Sequence, residues 1–377
     1  MTNIFSPVDL RKIGVNEFKK AKTYLLEEPK PIFSSLKVEN FQNDESTDFY
    51  RSDIFTENYL APHVYISEIE DCIIGPRVEG FSRYWPFLFD NFYVWNFLNP
   101  PVRSKYEEKG VFLNEGEKII WEKERFPTLR IPGLSIWFYP FGNLDHFLRE
   151  CLPSILLIKN LGINFSKIKF ICQDIKKPFF EFLIELGIPS TSIVVTGNKW
   201  ISCEKLMLPC FGSFGHLHTP TQYYIKTLEW VREALNIKNI SCEKKIFVSR
   251  RNSKVRKILN EFVLEPGLKK RGFQIIEPGD FSIKEQIKIF NNSSAVVGAH
   301  GMGIANYGFA GNDSVLFEIM QTNYARVSYF RTCQLKNGRY FLYWINPVSS
   351  NFCYEDDLYG SSLIDKNLFF SALDAAC

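Results

Sequence analysis

The sequence has no long apolar run, no closely paired cysteines and little net charge. No stretch approaches the roughly 18 uninterrupted apolar residues of a membrane-spanning helix, so we expect none. The nine cysteines are an odd number without a C-x-x-C pair, which predicts reduced, mostly buried thiols and no zinc site. A net charge of +3 is too small for a general nucleic-acid binder. The opening residues, MTNIFSPVDLRKIG, lack a charged-then-apolar secretion signal, so we expect a cytoplasmic protein.

A chain of 377 residues of which 45% are hydrophobic is long enough for two domains. From residue 168 onward, short apolar runs alternate with amphipathic segments, as strands and helices do in a parallel sheet. The predicted strands are 168–172, 193–195, 205–208, 245–249, 273–276, 295–297 and 315–319. The predicted helices are 178–186, 219–235, 254–270 and 283–290. This alternation predicts a doubly wound α/β fold, with a domain junction near 209–220.

The most informative stretch reads VVGAHGMGIANYGF, in which an apolar strand runs into glycines around a histidine. Gly301 and Gly303 allow the backbone to approach a ligand closely, and the helix start that follows offers unpaired N–H groups to a phosphate. His300 and Asn306 would stand at the carboxyl end of the strand, where open α/β sheets bind ligands. Taken alone, the glycines also fit an ordinary turn.

A basic segment precedes this stretch. Between residues 241 and 271 there are ten Lys or Arg against three Glu, and a strand ending at Ser249 would deliver Arg250 to the same edge of the sheet. Arg256 is predicted in the first turns of the next helix. Guanidinium groups suit bidentate phosphate contacts, whereas a solvated helix face is the alternative interpretation.

Glu318, in a later strand, is placed either to bind ribose hydroxyls or to face water.

A third stretch reads NLDHFLRE. Its apolar spacing predicts a helix that begins near Asn143 and is kinked or split at Pro153. His146 and Glu150 are four residues apart and therefore share a helix face, and Asp145 lies beside them. A histidine assisted by a carboxylate is a candidate general base. The alternative is a histidine at a helix start that bonds only to the backbone.

These three stretches, in this order, resemble glycosyltransferase family 61. The family's motif residues correspond to Asn143, His146, Glu150, Ser249, Arg250, Arg256, Asn260, Glu261, Glu285, Gln286, the segment 299–306 and Glu318. The resemblance extends over about residues 138–343 and is that of a bacterial-type member. Met302 departs from the small residue usual in the family and makes the turn bulkier beside the ligand.

The resemblance implies an α/β, GT-B-like fold, with two Rossmann-like domains facing across a cleft. The implied segments are a peripheral arm at 1–60, an acceptor-side α/β domain at 61–212, a nucleotide-sugar-binding domain at 213–345 and a C-terminal segment at 346–377 that packs back on the N-terminal domain. The implied activity is inverting transfer of a sugar from a nucleotide-sugar, expected to be a UDP-sugar, to a hydroxyl of a glycan acceptor. No metal or other cofactor is implied.

The resemblance also assigns roles to residues. The donor would be bound by Ser249, Arg250, Arg256, Asn260, His300, Gly301, Met302, Gly303, Asn306 and Glu318. Asn143 would contact the acceptor, and His146 would be the base, assisted by Asp145 or Glu150. In the alternative assignment Glu150 is the base and His146 orients it.

The expected partners are the donor and a glycan or glycolipid acceptor in surface polysaccharide biosynthesis, such as capsule or lipopolysaccharide. Nucleic acid is not expected. A lipid-linked acceptor would bring the protein to the inner face of the cytoplasmic membrane. Two other functions fit the glycine turn: an NAD(P)-dependent oxidoreductase, and a catalytically inactive nucleotide- or glycan-binding protein.

Overall fold

The structure is a computed structural model. It describes residues 2–10, 20–43, 54–77, 85–90, 92–94, 100–109, 111–122, 127–140, 142–212, 218–238, 244–348 and 360–377. The chain forms two compact units, and each unit combines segments that are distant in sequence. The first unit contains residues 1–30 and 62–217, and the second contains residues 31–61 and 218–377.

The regular elements are numbered in chain order over the described residues. The strands are β1 (Thr2–Val8), β2 (Ala21–Glu27), β3 (Lys30–Phe33), β4 (Glu39–Gln42), β5 (Asn58–Ala61), β6 (Val64–Ile74), β7 (Phe87–Phe89), β8 (Phe92–Val94), β9 (Leu113–Glu115), β10 (Lys118–Glu122), β11 (Leu129–Trp137), β12 (Lys169–Cys172), β13 (Ile193–Val195), β14 (Ile201–Pro209), β15 (Lys245–Val248), β16 (Phe273–Ile276), β17 (Ala295–Ala299), β18 (Val315–Gln321) and β19 (Arg339–Ile345). The longer helices are α1 (Pro100–Glu108), α2 (Leu152–Asn160), α3 (Lys177–Glu185), α4 (Gln222–Ala234), α5 (Glu265–Lys270), α6 (Ile283–Phe290), α7 (Ser328–Lys336) and α8 (Lys366–Ala376).

The first unit is built on a mixed sheet. Its strand order is β13-β12-β11-β14-β6-β7-β8-β1-β10-β9, with β2 also paired to β6. β11 to β14 form the parallel part, and the antiparallel pairing of β14 with β6 begins the other part. The helical segment that carries His146 follows β11, so this residue lies beyond the carboxyl end of a parallel strand.

The second unit contains a parallel sheet with the order β16-β15-β17-β18-β19-β4. The apolar run of β18 is buried at every position, as expected for a strand covered on both faces. The chain passes from β15 outward to β16 and then returns to β17 on the other side of β15. This reversal creates a topological switch point between the carboxyl ends of β15 and β17, where sheets of this order bind ligands.

The mixed α/β class is confirmed, but two parts of the predicted organisation differ from the structure. Within the predicted arm, β1 and β2 belong to the sheet of the first unit, and β4 extends the sheet of the second. Helix α8, in the predicted returning segment, belongs to the second unit. Phe369 and Leu373 of α8 are buried in the same apolar core as Phe317, and burial of such rings is worth about 2 kcal/mol each. Residues 44–53 and 349–359 of these segments lie outside the described residues.

Lys336 is a buried lysine at the end of α7. Its Nζ donates to the carbonyls of Tyr307, Gly308 and Ala310 at 3.1, 3.0 and 2.5 Å. Burial lowers the pKa of this ammonium from 10.5 to about 7. Between these two pH values the unfolded chain binds a proton that the folded chain does not, so the free energy of unfolding rises with pH.

We therefore expect the pH dependence of stability to change in Lys336→Met. From pH 7 to pH 9 the free energy of unfolding of the wild type should rise relative to the variant, by up to about 1.4 kcal/mol per pH unit. Denaturant unfolding at several pH values measures this difference. Lys288→Met, at an exposed position of α6, is the matched control and should show no such rise. A difference for Lys336→Met that is constant with pH would contradict the expectation.

Candidate functional site

Two segments leave the sheet of the second unit at its switch point. Ser249 and Arg250 follow β15, and His300 and Gly301 follow β17. Because β15 and β17 are neighbours and parallel, their carboxyl ends open at the same edge. Nη1 of Arg250 lies against Gly301, at the position that a Cβ atom would occupy. The structure thus brings together the basic segment and the glycine turn.

Arg250 is held by the loop that follows it. Its Nη2 donates to the carbonyl of Val255 at 2.8 Å and to Oγ of Ser253 at 2.9 Å, and its Nε donates to the carbonyl of Arg256 at 3.2 Å. Burial, followed by the nearby charge of Arg256, lowers the pKa of Arg250 to about 10. The guanidinium therefore remains charged at neutral pH and is fixed in position.

The helix predicted over 254–270 is wrong in its first half. Residues 251–260 form turns and a bridge, and regular helix starts only with α5, after a short 3-10 segment at Glu261–Leu264. Arg250 occupies the carbonyls of Val255 and Arg256, which a helix would need for its own hydrogen bonds. Arg256 consequently lies in a loop, with a left-handed φ of 52°.

The guanidinium of Arg256 lies over the ring of Tyr324, with Cζ 4.3 Å from the ring centroid. Its Nε and Nη1 atoms are buried and have no hydrogen-bond partner among the described residues. Within the same part of the chain, no carboxylate forms an ion pair with either Arg250 or Arg256. Two adjacent cations whose guanidinium groups form no ion pair among the described residues, one of them with buried donors left over, are arranged to accept an anion.

His300 is fixed by a buried carboxylate. Its Nδ1 lies 2.5 Å from Oε1 of Glu318, and the hydroxyl of Tyr340 donates to Oε2 of Glu318 at 2.6 Å. The pKa of Tyr340 is raised, first by burial and then by Glu318. The sequence predicted that Glu318 either contacts ribose or faces water, but in the structure this residue is 0% exposed. Its position in the parallel sheet makes it a support for the His300 ring.

The backbone at Gly301 adopts a φ of 151°, which side-chain-bearing residues rarely accept. A Cβ atom here would also collide with Arg250. If the site binds UDP, the ligand predicted from the sequence, we expect Gly301→Ala to weaken that binding about tenfold or more, because strain and displacement of Arg250 together cost on the order of 1–3 kcal/mol. Calorimetric titration with UDP measures this loss. Gly279→Ala, where a Cβ meets open space, should bind normally; equal affinity in both variants would contradict the expectation.

Two other predicted donor-binding residues form side-chain hydrogen bonds within the second unit. The side chain of Asn260 bonds to both the carbonyl and the N–H of Ile364, at 2.8 and 2.9 Å. Asn306 is fully buried and donates to Gln286 at 2.9 Å. These placements differ from predicted contacts with a donor, because neither residue presents its side chain at the opening of the site.

The remaining predicted residues shape the turns. Ser249 donates to Oε1 of Glu261 at 2.5 Å, and the N–H of Arg250 donates to Oε2 at 2.9 Å, so Glu261 fixes the turn after β15. Gly303 packs closely on Val248, with no room for a Cβ. Met302, by contrast, is 48% exposed and is the residue of this turn most available to a ligand.

The first unit holds the third predicted group. Asn143 caps the helical segment, since its Oδ1 accepts from the N–H of Asp145 at 2.9 Å. His146 Nδ1 lies 2.8 Å from Oε2 of Glu150, and the His146 side chain is 15% exposed whereas that of Glu150 is 2% exposed. Asp145 instead pairs with Nε of buried Arg149 at 2.6 Å. Of the two carboxylates proposed to assist His146, Glu150 is therefore the one in contact.

The local helix geometry explains this pairing. Residues Phe147–Cys151 form a π-helical turn between Leu144–His146 and α2, and Pro153 lies in the first turn of α2. Proline cannot donate to the carbonyl four residues before it, and the hydrogen bonding changes from π to α at this point without a break in the helical segment. Such π turns are frequent at functional sites.

Tyr324, Tyr329 and Tyr340 also lie at this site, although no sequence motif predicted them. Tyr329 donates to the carbonyl of Gly301 at 2.9 Å, and the ring of Tyr324 lies 5.6 Å from that of His300. Tyr324 follows β18, Tyr329 lies in α7 and Tyr340 lies in β19, in a chain already rich in aromatic residues. The signal that could have found Tyr324 is its position just after a buried parallel strand.

Among the described residues, no group of three or more His, Cys, Asp or Glu is arranged to hold a metal ion. Over the same residues, no helix combines the length and the apolar character needed to cross a membrane.

Residues 144–317 match the family model described as Glycosyltransferase 61. The match begins one residue after Asn143 and ends one residue before Glu318, so it contains His146, Glu150, both arginines and the His300 turn. No curated protein matches the chain. The resemblance predicted from the three motif stretches is confirmed.

Proposed function

We propose that this chain, whose residues 144–317 match the glycosyltransferase 61 family model, is a glycosyltransferase that moves a sugar from a UDP-sugar to a hydroxyl of a glycan acceptor, with inversion and without an obligatory metal. The match to this family model favours a glycosyltransferase over the alternative predicted above, an NAD(P)-dependent oxidoreductase. We further propose a GT-B arrangement and a role in surface polysaccharide biosynthesis.

The observation that carries this proposal is the arginine pair at the switch point. When the sugar leaves, negative charge develops on the diphosphate oxygen. Fixed cations placed where that charge appears lower the barrier, because they need no reorganisation during the reaction. Arg250 is immobilised by its loop, and Arg256 keeps two buried donors for the ligand. Together they would neutralise the leaving diphosphate.

The His146–Glu150 pair supplies the second requirement, a base. The acceptor oxygen attacks the anomeric carbon while the bond from that carbon to the diphosphate oxygen breaks, and the acceptor proton passes to His146. With Nδ1 of His146 directed at Glu150, Nε2 is the nitrogen that accepts the proton. The greater exposure of His146 favours it over Glu150 as the base. A single displacement of this kind inverts the anomeric centre.

The proposed location is the cytoplasm. Cys72 and Cys203 lie directly opposite each other on β6 and β14, yet both are free thiols, as expected in a reducing compartment. A lipid-linked acceptor would place the reaction at the inner face of the membrane.

A thermal-shift panel of UDP, GDP, CMP, ADP and NAD, each with and without Mg²⁺, tests the donor proposal, because a ligand of the native state raises its apparent stability. We expect a shift with UDP that is independent of Mg²⁺. A shift with another nucleotide alone would overturn the UDP assignment, and a shift that requires Mg²⁺ would overturn metal independence. Binding of UDP without transfer to any glycan acceptor would favour the inactive binding protein.

A further inference from the structure

Tyr324 brings together three segments at the ligand-binding edge of the second unit. The ring follows β18, whose carboxyl end lies beside that of β17. Cζ of Arg256 lies 4.3 Å from the ring centroid, and Cζ of Arg326 lies 4.2 Å from it. The His300 ring is 5.6 Å away. Two guanidinium groups from different loops therefore contact one ring beside the glycine turn.

Arg326 has few contacts that would explain its position. Its Nη1 donates to the carbonyl of Ala325 at 2.8 Å, and over the described ranges no carboxylate forms an ion pair with it. Glu318 forms no ion pair with Arg326; its two oxygens contact His300 and Tyr340.

Holding Arg326 near Arg256 costs electrostatic repulsion, which the contacts with the Tyr324 ring offset only in part, at about 0.5–2 kcal/mol each. A dianion that contacts both guanidinium groups beside the Tyr324 ring would offset this repulsion. A diphosphate has that charge, and its several oxygens can accept from both groups.

We propose that Arg326 binds the diphosphate of the donor together with Arg256, and that Tyr324 is a positioning residue that holds both guanidinium groups. This inference rests on the proposed UDP-sugar donor. It adds a third cation, from the loop after β18, to the two that the motif stretches contain.

Calorimetric titration with UDP and with uridine tests the proposal. Arg326→Gln should raise the Kd for UDP about fivefold or more, leave that for uridine unchanged and flatten the dependence of UDP affinity on salt. Arg326→Lys should recover part of the affinity. Tyr324→Leu should weaken binding of UDP, whereas Tyr324→Phe should bind normally because it retains the ring.

The matched control is Arg339→Ala. Arg339 also lies over an aromatic ring, 5.0 Å from the centroid of Phe341, but it is at the start of β19, the opposite edge of the sheet. Its removal should not change the Kd for UDP. Unchanged affinity in Arg326→Gln, when Arg256→Gln binds UDP weakly, would overturn the inference and leave the proposed function standing. A wild type that binds no UDP would overturn both.

Discussion

Replacement of Arg256 by glutamine should raise the Kd for UDP by about 10- to 100-fold with only a small change in the melting temperature, set by the loss of its contact with the Tyr324 ring. Two of the donor atoms of Arg256, Nε and Nη1, have no partner within the described part of the chain, so the fold loses no hydrogen bond through them. Charge-assisted bonds to phosphate are worth about 1.5–3 kcal/mol, which sets the expected loss of affinity. The charge of Arg256 also lowers the pKa of Arg250, so its removal relieves a repulsion. Calorimetry with UDP and thermal unfolding without ligand measure the two quantities.

Arg251→Gln provides the comparison for this change. Arg251 is next to Arg250 in sequence, but its guanidinium pairs with Glu265 and its side chain is 47% exposed. Loss of an exposed ion pair costs about 0–1 kcal/mol, and UDP should bind as in the wild type. If Arg256→Gln instead lowered the melting temperature and kept the wild-type Kd, Arg256 would be a structural residue.

The strands and the positions of the motifs could be predicted from the sequence because each depends on a short, local pattern of residues. The apolar runs of β12, β13, β15 and β16 lie within a residue or so of their predicted bounds. Once parallel strands are identified, their carboxyl ends share an edge, and this alone predicted that Arg250 would lie near Gly301.

The backbone conformation at Arg256 could not be predicted from the sequence, because it depends on side-chain hydrogen bonds from Arg250. Residues 254–260 have ordinary helical spacing, but hydrogen bonds from Arg250 remove two carbonyls from a helical ladder. Likewise, nothing in the sequence around Glu318 distinguishes a carboxylate at the ligand from one buried beneath His300. The distinction depends on Tyr340, which lies in the next strand of the sheet.

The sheet to which each terminal segment belongs could not be predicted, for a similar reason. β4 has only four residues and contributes one partly buried phenylalanine, Phe41, to the core of the second unit. A strand this short has no periodicity to detect. Its place is set by pairing with β19, almost 300 residues later in the chain, and pairing over that separation leaves no local pattern.

Glu150→Gln and His146→Ala should each lower kcat by about 10²- to 10⁴-fold, the range that general-base catalysis supplies. Neither change should alter the Kd for UDP, because the proposed contacts with the diphosphate are made by Arg250 and Arg256 and not by these two residues. Single-turnover transfer with saturating UDP-sugar, together with calorimetry, separates these effects. Glu150→Gln keeps a side chain that can bond to His146 Nδ1 but removes the charge that stabilises the imidazolium.

The variant Asp145→Asn distinguishes a carboxylate that assists the base His146 from one that only stabilises the fold. Asp145 pairs with Arg149, whose side chain is 0% exposed, and breaking a buried pair of this kind costs about 3–5 kcal/mol. We therefore expect a large fall in melting temperature with kcat largely retained below it, the reverse of the pattern for Glu150→Gln. If Asp145→Asn lowered kcat as much as His146→Ala while Glu150→Gln turned over normally, then Asp145, and not Glu150, would assist the base. If all three variants retained wild-type kcat, the base would lie elsewhere, and the donor site in the second unit would be unaffected by that result.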